Sequence, residues 1–180
     1  MHQNPARAHS RTDSPLGPLR LAASAHGLSG VWFTSQCHSP SDALLQTWVN
    51  DPEHPILLAA IKQLRAYFRA ERLHFDLPLD VCVGTPFQQS VWHALQHIPA
   101  GQTCSYGELA DLLGRPKAAR AVGLALGRNP LALVLPCHRV LGRQGALCGY
   151  AGGLDRKAAL LVLEQAALGL RHAPPPCPRP

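Results

Sequence analysis

Ser105-Tyr106-Gly107-Glu108-Leu109-Ala110-Asp111-Leu112-Leu113-Gly114-Arg115-Pro116-Lys117-Ala118-Ala119-Arg120-Ala121-Val122-Gly123 carries the pattern on which the fold turns. A Ser followed three residues later by a Glu has capping-box spacing, so a helix is expected to start at Ser105. Gly114-Arg115-Pro116 punctuates the chain, and a second helix is expected from Pro116, with Gly127 closing it. Two short helices around a tight Gly/Pro turn suggest a helix-turn-helix, a geometry that also serves as a plain αα-corner. The second helix is mostly Ala and Gly around one long cation, Arg120. Small side chains let a helix backbone come close to another surface. That surface is either a neighbouring helix or a groove of DNA, with Arg120 projecting into it.

The charge distribution bears on that choice. The chain of 180 residues has 17 Lys plus Arg against 11 Asp plus Glu, a formal net charge of +6. Residues 13–85 are slightly acidic, whereas 86–170 hold 8 basic and 4 acidic side chains. From Arg115 to Arg143 there are six basic residues and no acid, which reads as a solvated basic face or a polyanion-binding surface. No apolar run reaches the roughly 20 residues of a membrane span, and Met1-His2-Gln3-Asn4-Pro5 has no secretory core. A cytoplasmic protein (nucleoid-associated if bacterial) with no membrane partner is therefore expected.

Upstream, Leu19 to Phe33 reads as a hairpin turning at Ala25-His26-Gly27. A helix is expected near Ser41–Val49, and another from Pro55 with Ile56, Leu57, Ala60, Ile61, Leu64 and Phe68 on one stripe. Leu73, Phe75, Leu77, Leu79, Val81 and Val83 alternate strictly and predict a strand, at an edge because of Pro78. Gly84-Thr85-Pro86 marks a boundary, with Thr85 capping a helix over 86–97. The expected class is α+β. A small α/β N-terminal domain spans 13–84 and a helical domain 85–170. Disordered tails are expected at 1–12 and at the Pro-rich 171–180.

The six cysteines include no C-x-x-C pair, so a zinc ribbon is not expected, and a disulfide framework does not suit a chain without an export signal. Cys137 stands out because Leu131-Ala132-Leu133-Val134-Leu135 runs into Pro136-Cys137-His138-Arg139-Val140. A thiol beside an imidazole is a candidate nucleophile with its base, and the flanking cations are expected to favour thiolate. Adjacent residues point different ways, so His138 would reach Cys137 through a water. Cys37-His38 lies in a polar loop where no function is expected. His93 and His97 lack the Glu of a zinc-protease motif and read as surface residues. Gly142-Arg143-Gln144-Gly145 reads as a hairpin tip. The last helix, about 153–168, has Leu154, Ala158, Leu161, Val162 and Gln165 as its inner stripe, with Glu164 at the border, where a lone Glu is usually solvated.

Several segments, in order and spacing, together resemble the O6-alkylguanine-DNA alkyltransferases. They are Thr85-Pro86-Phe87-Gln88, Ser105 to Ala110, Pro116 to Gly123, Asn129-Pro130, Pro136 to Val140 and Gly149-Tyr150-Ala151-Gly152-Gly153-Leu154. Asp13-Ser14-Pro15-Leu16-Gly17 resembles that family's first strand. The resemblance covers about 13–168 and implies a winged-helix-like C-terminal domain that binds the DNA minor groove. It implies Cys137 as alkyl acceptor, His138 and Glu164 as the relay that ionises it, and Asn129 as support of the active-site turn. Arg120 would insert into the duplex in place of a flipped nucleotide, and Tyr106 would aid flipping and bond the base. Tyr150, Ala151 and Gly152 would line the pocket, and Gly107, Arg115, Arg143 and Gln88 would contact DNA.

The implied partner is double-stranded DNA containing O6-alkylguanine, met by a monomer without cofactor. Ser24 and Ser29 stand where some relatives have zinc ligands, so no metal is expected. The implied reaction is displacement at a saturated carbon, for which a soft thiolate suits. Its thioether product has no labile bond, so one chain should react once. Two other readings are a lesion-sensing DNA binder without transfer and a cysteine hydrolase using Cys137 and His138. Against the hydrolase stands the lack of an obvious oxyanion motif.

Overall fold

The computed structural model describes residues 7–170. Its first half is a four-stranded sheet in the order β3-β2-β1-β4. The strands are β1 (Ala8–Thr12), β2 (Leu19–Ala23), β3 (Leu28–Phe33) and β4 (Val49–Asn50). β2 is antiparallel to both neighbours, and β4 runs parallel to β1. Both faces of β3 are covered, which is why it shows no polar alternation. Val31 and Phe33 join the main core, whereas Trp32 packs with Ala22, Leu45 and Trp48 on the far side. Trp32 lies across Gly30, where an added Cβ would meet its ring at 1.7 Å. Helix α1 (Asp42–Leu45) is capped by Ser41, and α2 (Pro55–Phe68) buries Leu57, Ala60, Leu64 and Tyr67 against the sheet.

The second half begins with α3 (Pro86–Leu95), fixed by a complete capping box between Thr85 and Gln88. A second capping box, Ser105 with Glu108, starts α4 (Tyr106–Leu112), and α5 (Ala119–Gly127) follows. Trp92 Nε1 of α3 donates to Ala125 O of α5 at 2.9 Å, setting one helix against the other. A 3-10 turn (Cys137–Arg139) leads into β6 (Val140–Leu141), which pairs parallel with β5 (Cys104–Ser105). The chain then reaches α6 (Leu154–Ala167). The main core is continuous across both halves, from Leu21 and Tyr67 to Val122, Leu131, Cys137 and Leu160. Among the described residues no helix is long and apolar enough to cross a membrane.

Several expectations need correction. Residues 8–12, expected in the N-terminal tail, form β1, while 1–6 and the expected tail 171–180 lie outside the described residues. Asp13 to Gly17 is the β1–β2 turn, closed by Gly17 N donating to Ser14 O, and not the first strand. The helix expected near 41–49 is one turn long, because Val49 instead donates its N–H to Arg7 O beside β1. The helix expected from Pro116 starts at Ala119, after a turn in which Ala118 N donates to Arg115 O.

The strand expected over 73–83 is extended chain that meets the sheet only at Leu79, bridged to Leu28. Its side chains do alternate inward. The ladder is absent because the free edge of β3 is taken farther along by the Val31–Leu131 bridge. Gly142 to Gly145 is a tight turn closed by Gly142 N on Ala146 O, and among the described residues β6 has no antiparallel partner that would make it a hairpin tip.

Candidate active site

Cys137 is held by the chain that enters between the sheet and α5. Val31 N donates to Pro130 O (2.8 Å) and Ala132 N to Val31 O (2.9 Å), so the strand β3 anchors the apolar run before the turn. Asn129 lies just past the Arg128 cap of α5, and its side chain braces both arms of the loop. Its Nδ2 donates to Leu135 O at 2.8 Å and to Cys137 Sγ at 3.2 Å, while its Oδ1 accepts from Leu131 N at 3.0 Å. Cys137 is 6% exposed.

Behind the thiol, His138, Arg139 and Glu164 are all buried. His138 Nε2 lies 2.9 Å from Glu164 Oε1, and Arg139 reaches the same carboxylate through Nε (3.0 Å) and Nη2 (2.8 Å). Tyr67 Oη donates to Oε1 at 2.7 Å, and Gly101 N donates to Oε2 at 3.3 Å. Burial by itself would raise the Glu164 pKa, but the bonds and charges of His138 and Arg139 outweigh it and hold the carboxyl well below its ordinary range. An ionised carboxylate only accepts, so Nε2 of His138 carries the ring proton and Nδ1 keeps its lone pair. That Nδ1 is buried and has no hydrogen-bond partner among the described residues. Burial lowers the His138 pKa in spite of Glu164, so the imidazole is neutral near pH 7.

The expectation that neighbouring cations favour thiolate is overturned. Burial pushes the Cys137 thiol above its ordinary pKa, and the Asn129 bond and the Lys157 charge offset it only in part. Arg139 spends its charge on Glu164. Lys157 donates to Val140 O and Cys148 O, both at 2.6 Å, and to Gly149 O at 3.3 Å. The resting site therefore pairs a protonated thiol with a neutral imidazole.

Cys137 closes a cavity of about 100 Å³. Gly123, Leu126 and Gly127 of α5 form one wall, and Gly149, Tyr150 and Ala151 the other. Tyr106 Oη donates to Cys148 O and Gly149 O, both at 3.0 Å, and so fixes the second wall from outside. Gly149 has φ +52°, and a Cβ there would come 2.6 Å from Tyr106 Oη. Tyr150 Oη is buried and has no hydrogen-bond partner among the described residues.

The other expected residues fall in three places. Tyr106, Gly107, Ala119 and Arg143 line a groove of about 760 Å³ along α4. Arg120 is exposed on α5, and Arg115 is exposed with its guanidinium 5.4 Å from the Phe87 ring. Gln88 spends its side chain on the cap of α3, and Gly152 accepts from Arg156 through its carbonyl. Glu164 is fully buried instead of solvated at a border. The inner stripe of α6 is Lys157, Leu160 and Glu164, while the expected Val162 is 63% exposed.

Sequence reasoning missed Tyr67, Arg139 and Lys157. Arg139 sits inside the quoted motif and could have been found there. Tyr67 and Lys157 carry no local signal beyond helical spacing. It also dismissed the loop at Cys37, whose N–H donates to Ala151 O at 3.2 Å and so ties the first half to the active-site loop.

Two family models match the chain: the 6-O-methylguanine DNA methyltransferase ribonuclease-like domain over residues 8–81, and the DNA binding domain of the same proteins over 86–166. The chain belongs to the 6-O-methylguanine DNA methyltransferase family. It is 51% identical to the methylated-DNA–protein-cysteine methyltransferase of Mycobacterium tuberculosis over 158 residues, 87% of this chain and 92% of that one. The methyltransferase of Methanosarcina acetivorans is 48% identical over 152 residues, 84% of this chain and 94% of the other. In structure, this family member is similar to Mycobacterium tuberculosis OGT in complex with DNA, with a TM-score of 0.81 and 48% identity, covering 89% of this chain and 94% of that one. The α+β methyltransferase fold, with its DNA-binding second half, is thereby established for this chain.

Proposed function

We propose that the chain repairs DNA by direct reversal, moving the alkyl group from O6 of guanine in a duplex onto Sγ of its own Cys137, once per molecule. The observation that carries this reading is the placement of Cys137 Sγ at the end of a narrow cavity, bonded to Asn129 and backed by the His138–Glu164 pair. His138 Nδ1 takes the thiol proton through an intervening water, and Glu164 stabilises the imidazolium that forms. The thiolate attacks the alkyl carbon, the S–C bond forms, the C–O6 bond breaks, and the electron pair leaves with guanine, which is then protonated. Donors around the base stabilise the charge that develops on it.

The alkylated base is unreachable inside the helix and must be flipped out, at a cost of a few kcal/mol. Arg120 fills the gap, Tyr106 supports flipping and bonds the base, and Tyr150, Ala151 and Gly152 contact it. Gly107, Arg115, Arg143 and Gln88 meet the DNA around it. The protein acts in the cytoplasm, as a monomer and without cofactor. The test is incubation with duplex carrying O6-methylguanine, followed by intact mass and peptide mapping. One methyl on Cys137 per chain, and none in Cys137→Ala, is expected. Lesion binding without an adduct, or many turnovers per chain, would sink the proposal.

A further inference from the structure

We infer that the DNA-facing surface of α5 extends beyond Arg120: Leu124 packs as an apolar wedge on the sugar edge of the duplex, and Arg128 neutralises a phosphate one turn farther on. The inference rests on the DNA reading above and assigns two residues that it leaves unused. Leu124 is 73% exposed, the most exposed large apolar side chain among the described residues. A helix turns about 100° per residue, so Arg120, Leu124 and Arg128 fall within roughly 80° of one another along about 12 Å of helix. All three are exposed. Val122, Ala125 and Leu126 point the opposite way and are buried. Between these sectors lie Gly123 and Gly127, which line the cavity at Cys137. The apolar side chain therefore stands beside the glycines that line the cavity, between Arg120 and Arg128, on a helix that carries no acid.

Charge complementarity selects the occupant. Lys117, Arg120, Arg128 and Arg143 enter no ion pair among the described residues. No acid occurs between Asp111 and Asp155. A basic surface interrupted by one aliphatic side chain, on a helix whose other large apolar residues, Val122 and Leu126, are buried, suits a narrow groove, whose walls offer phosphates and whose floor offers apolar sugar edges. The helix backbone can approach because Ala121 beside Leu124 adds almost no bulk.

The test compares full-length Leu124→Ala, Leu124→Asn, Arg128→Gln and the control Val162→Ala, which trims another exposed aliphatic, on α6. Each is titrated by fluorescence anisotropy against a short labelled unmodified duplex over a series of salt concentrations, with thermal melts to check folding. Both Leu124 variants are expected to bind about 3- to 10-fold more weakly with the wild-type salt slope, since an apolar contact releases no counterions. Arg128→Gln should lower the slope by about 0.9, the share of one phosphate. Val162→Ala should match the wild type. Leu124 variants that bind like Val162→Ala, or an unchanged slope in Arg128→Gln, would overturn the inference. A wild type that ignores duplex altogether would instead overturn the DNA reading, and this inference with it.

Discussion

The hydroxyl of Tyr67, on the helix that covers the N-terminal sheet, donates to Oε1 of Glu164 at 2.7 Å, the same oxygen that holds His138. The two residues are 97 positions apart. The first half of the chain thus contributes a bond to the carboxylate that holds His138, the neighbour of Cys137. Burial, with the charge of Glu164 beside it, keeps that phenol far above its ordinary pKa, so it remains a donor throughout the working range.

Tyr67→Phe removes this donor without changing the ring. Oε1 is then more available to His138 Nε2–H, and the imidazole becomes more basic. The pH profile of Cys137 alkylation by iodoacetamide should move to lower pH by roughly half a unit, with a stability loss of about 1–2 kcal/mol. A variant that loses stability but keeps the wild-type profile would reduce Tyr67 to a packing role.

Glu164→Gln leaves the buried Arg139 guanidinium without its counter-charge, which should cost about 3–5 kcal/mol. The pH dependence of stability follows from the two lowered pKa values. For His138 the ordinary value is 6.5, and below it the unfolded chain takes a proton that the folded one resists. For Glu164 the ordinary value is 4.5, and the stabilisation from its ionised form is present above that value and lost as pH falls through the carboxyl range. Chemical denaturation from neutral to acid pH should show both losses in the wild type, and the lower one should vanish in Glu164→Gln.

Lys157→Met removes the cation that opposes burial at Cys137 and frees three carbonyls. The thiol pKa should rise further, moving the alkylation midpoint to higher pH and slowing the reaction about tenfold near pH 7. Lys157→Arg keeps the charge and should restore much of the midpoint. Equal midpoints in Lys157→Met and the wild type would remove Lys157 from the electrostatics of the site.

Arg120→Ala should slow repair of duplex by roughly 10- to 100-fold, because the vacated stack is no longer filled and flipping costs a few kcal/mol. Reaction with free O6-methylguanine base needs no flipping and should fall much less. Single-turnover rates on the two substrates decide it, and equal losses would rule out insertion of Arg120 into the duplex.

Local signals in the sequence determined the punctuation of this protein. Ser105 with Glu108 and Thr85 with Pro86 start helices because capping involves only neighbouring residues, and the Leu19–Phe33 hairpin follows from spacing and turn residues. The context of Cys137 also singled it out as the candidate nucleophile. Tertiary structure decided the rest, for reasons no local period contains. Leu73 to Val83 alternates as a strand does, but whether it pairs depends on an edge of β3 that Leu131 occupies from far along the chain. Glu164 reads as solvated until Tyr67, His138 and Arg139 converge on it. The protonation state of Cys137 could not be read from the cations beside it, because burial sets it and those cations are spent on Glu164 and on backbone carbonyls. Spacing along one segment fixes which way a side chain faces; only the fold fixes what it finds there.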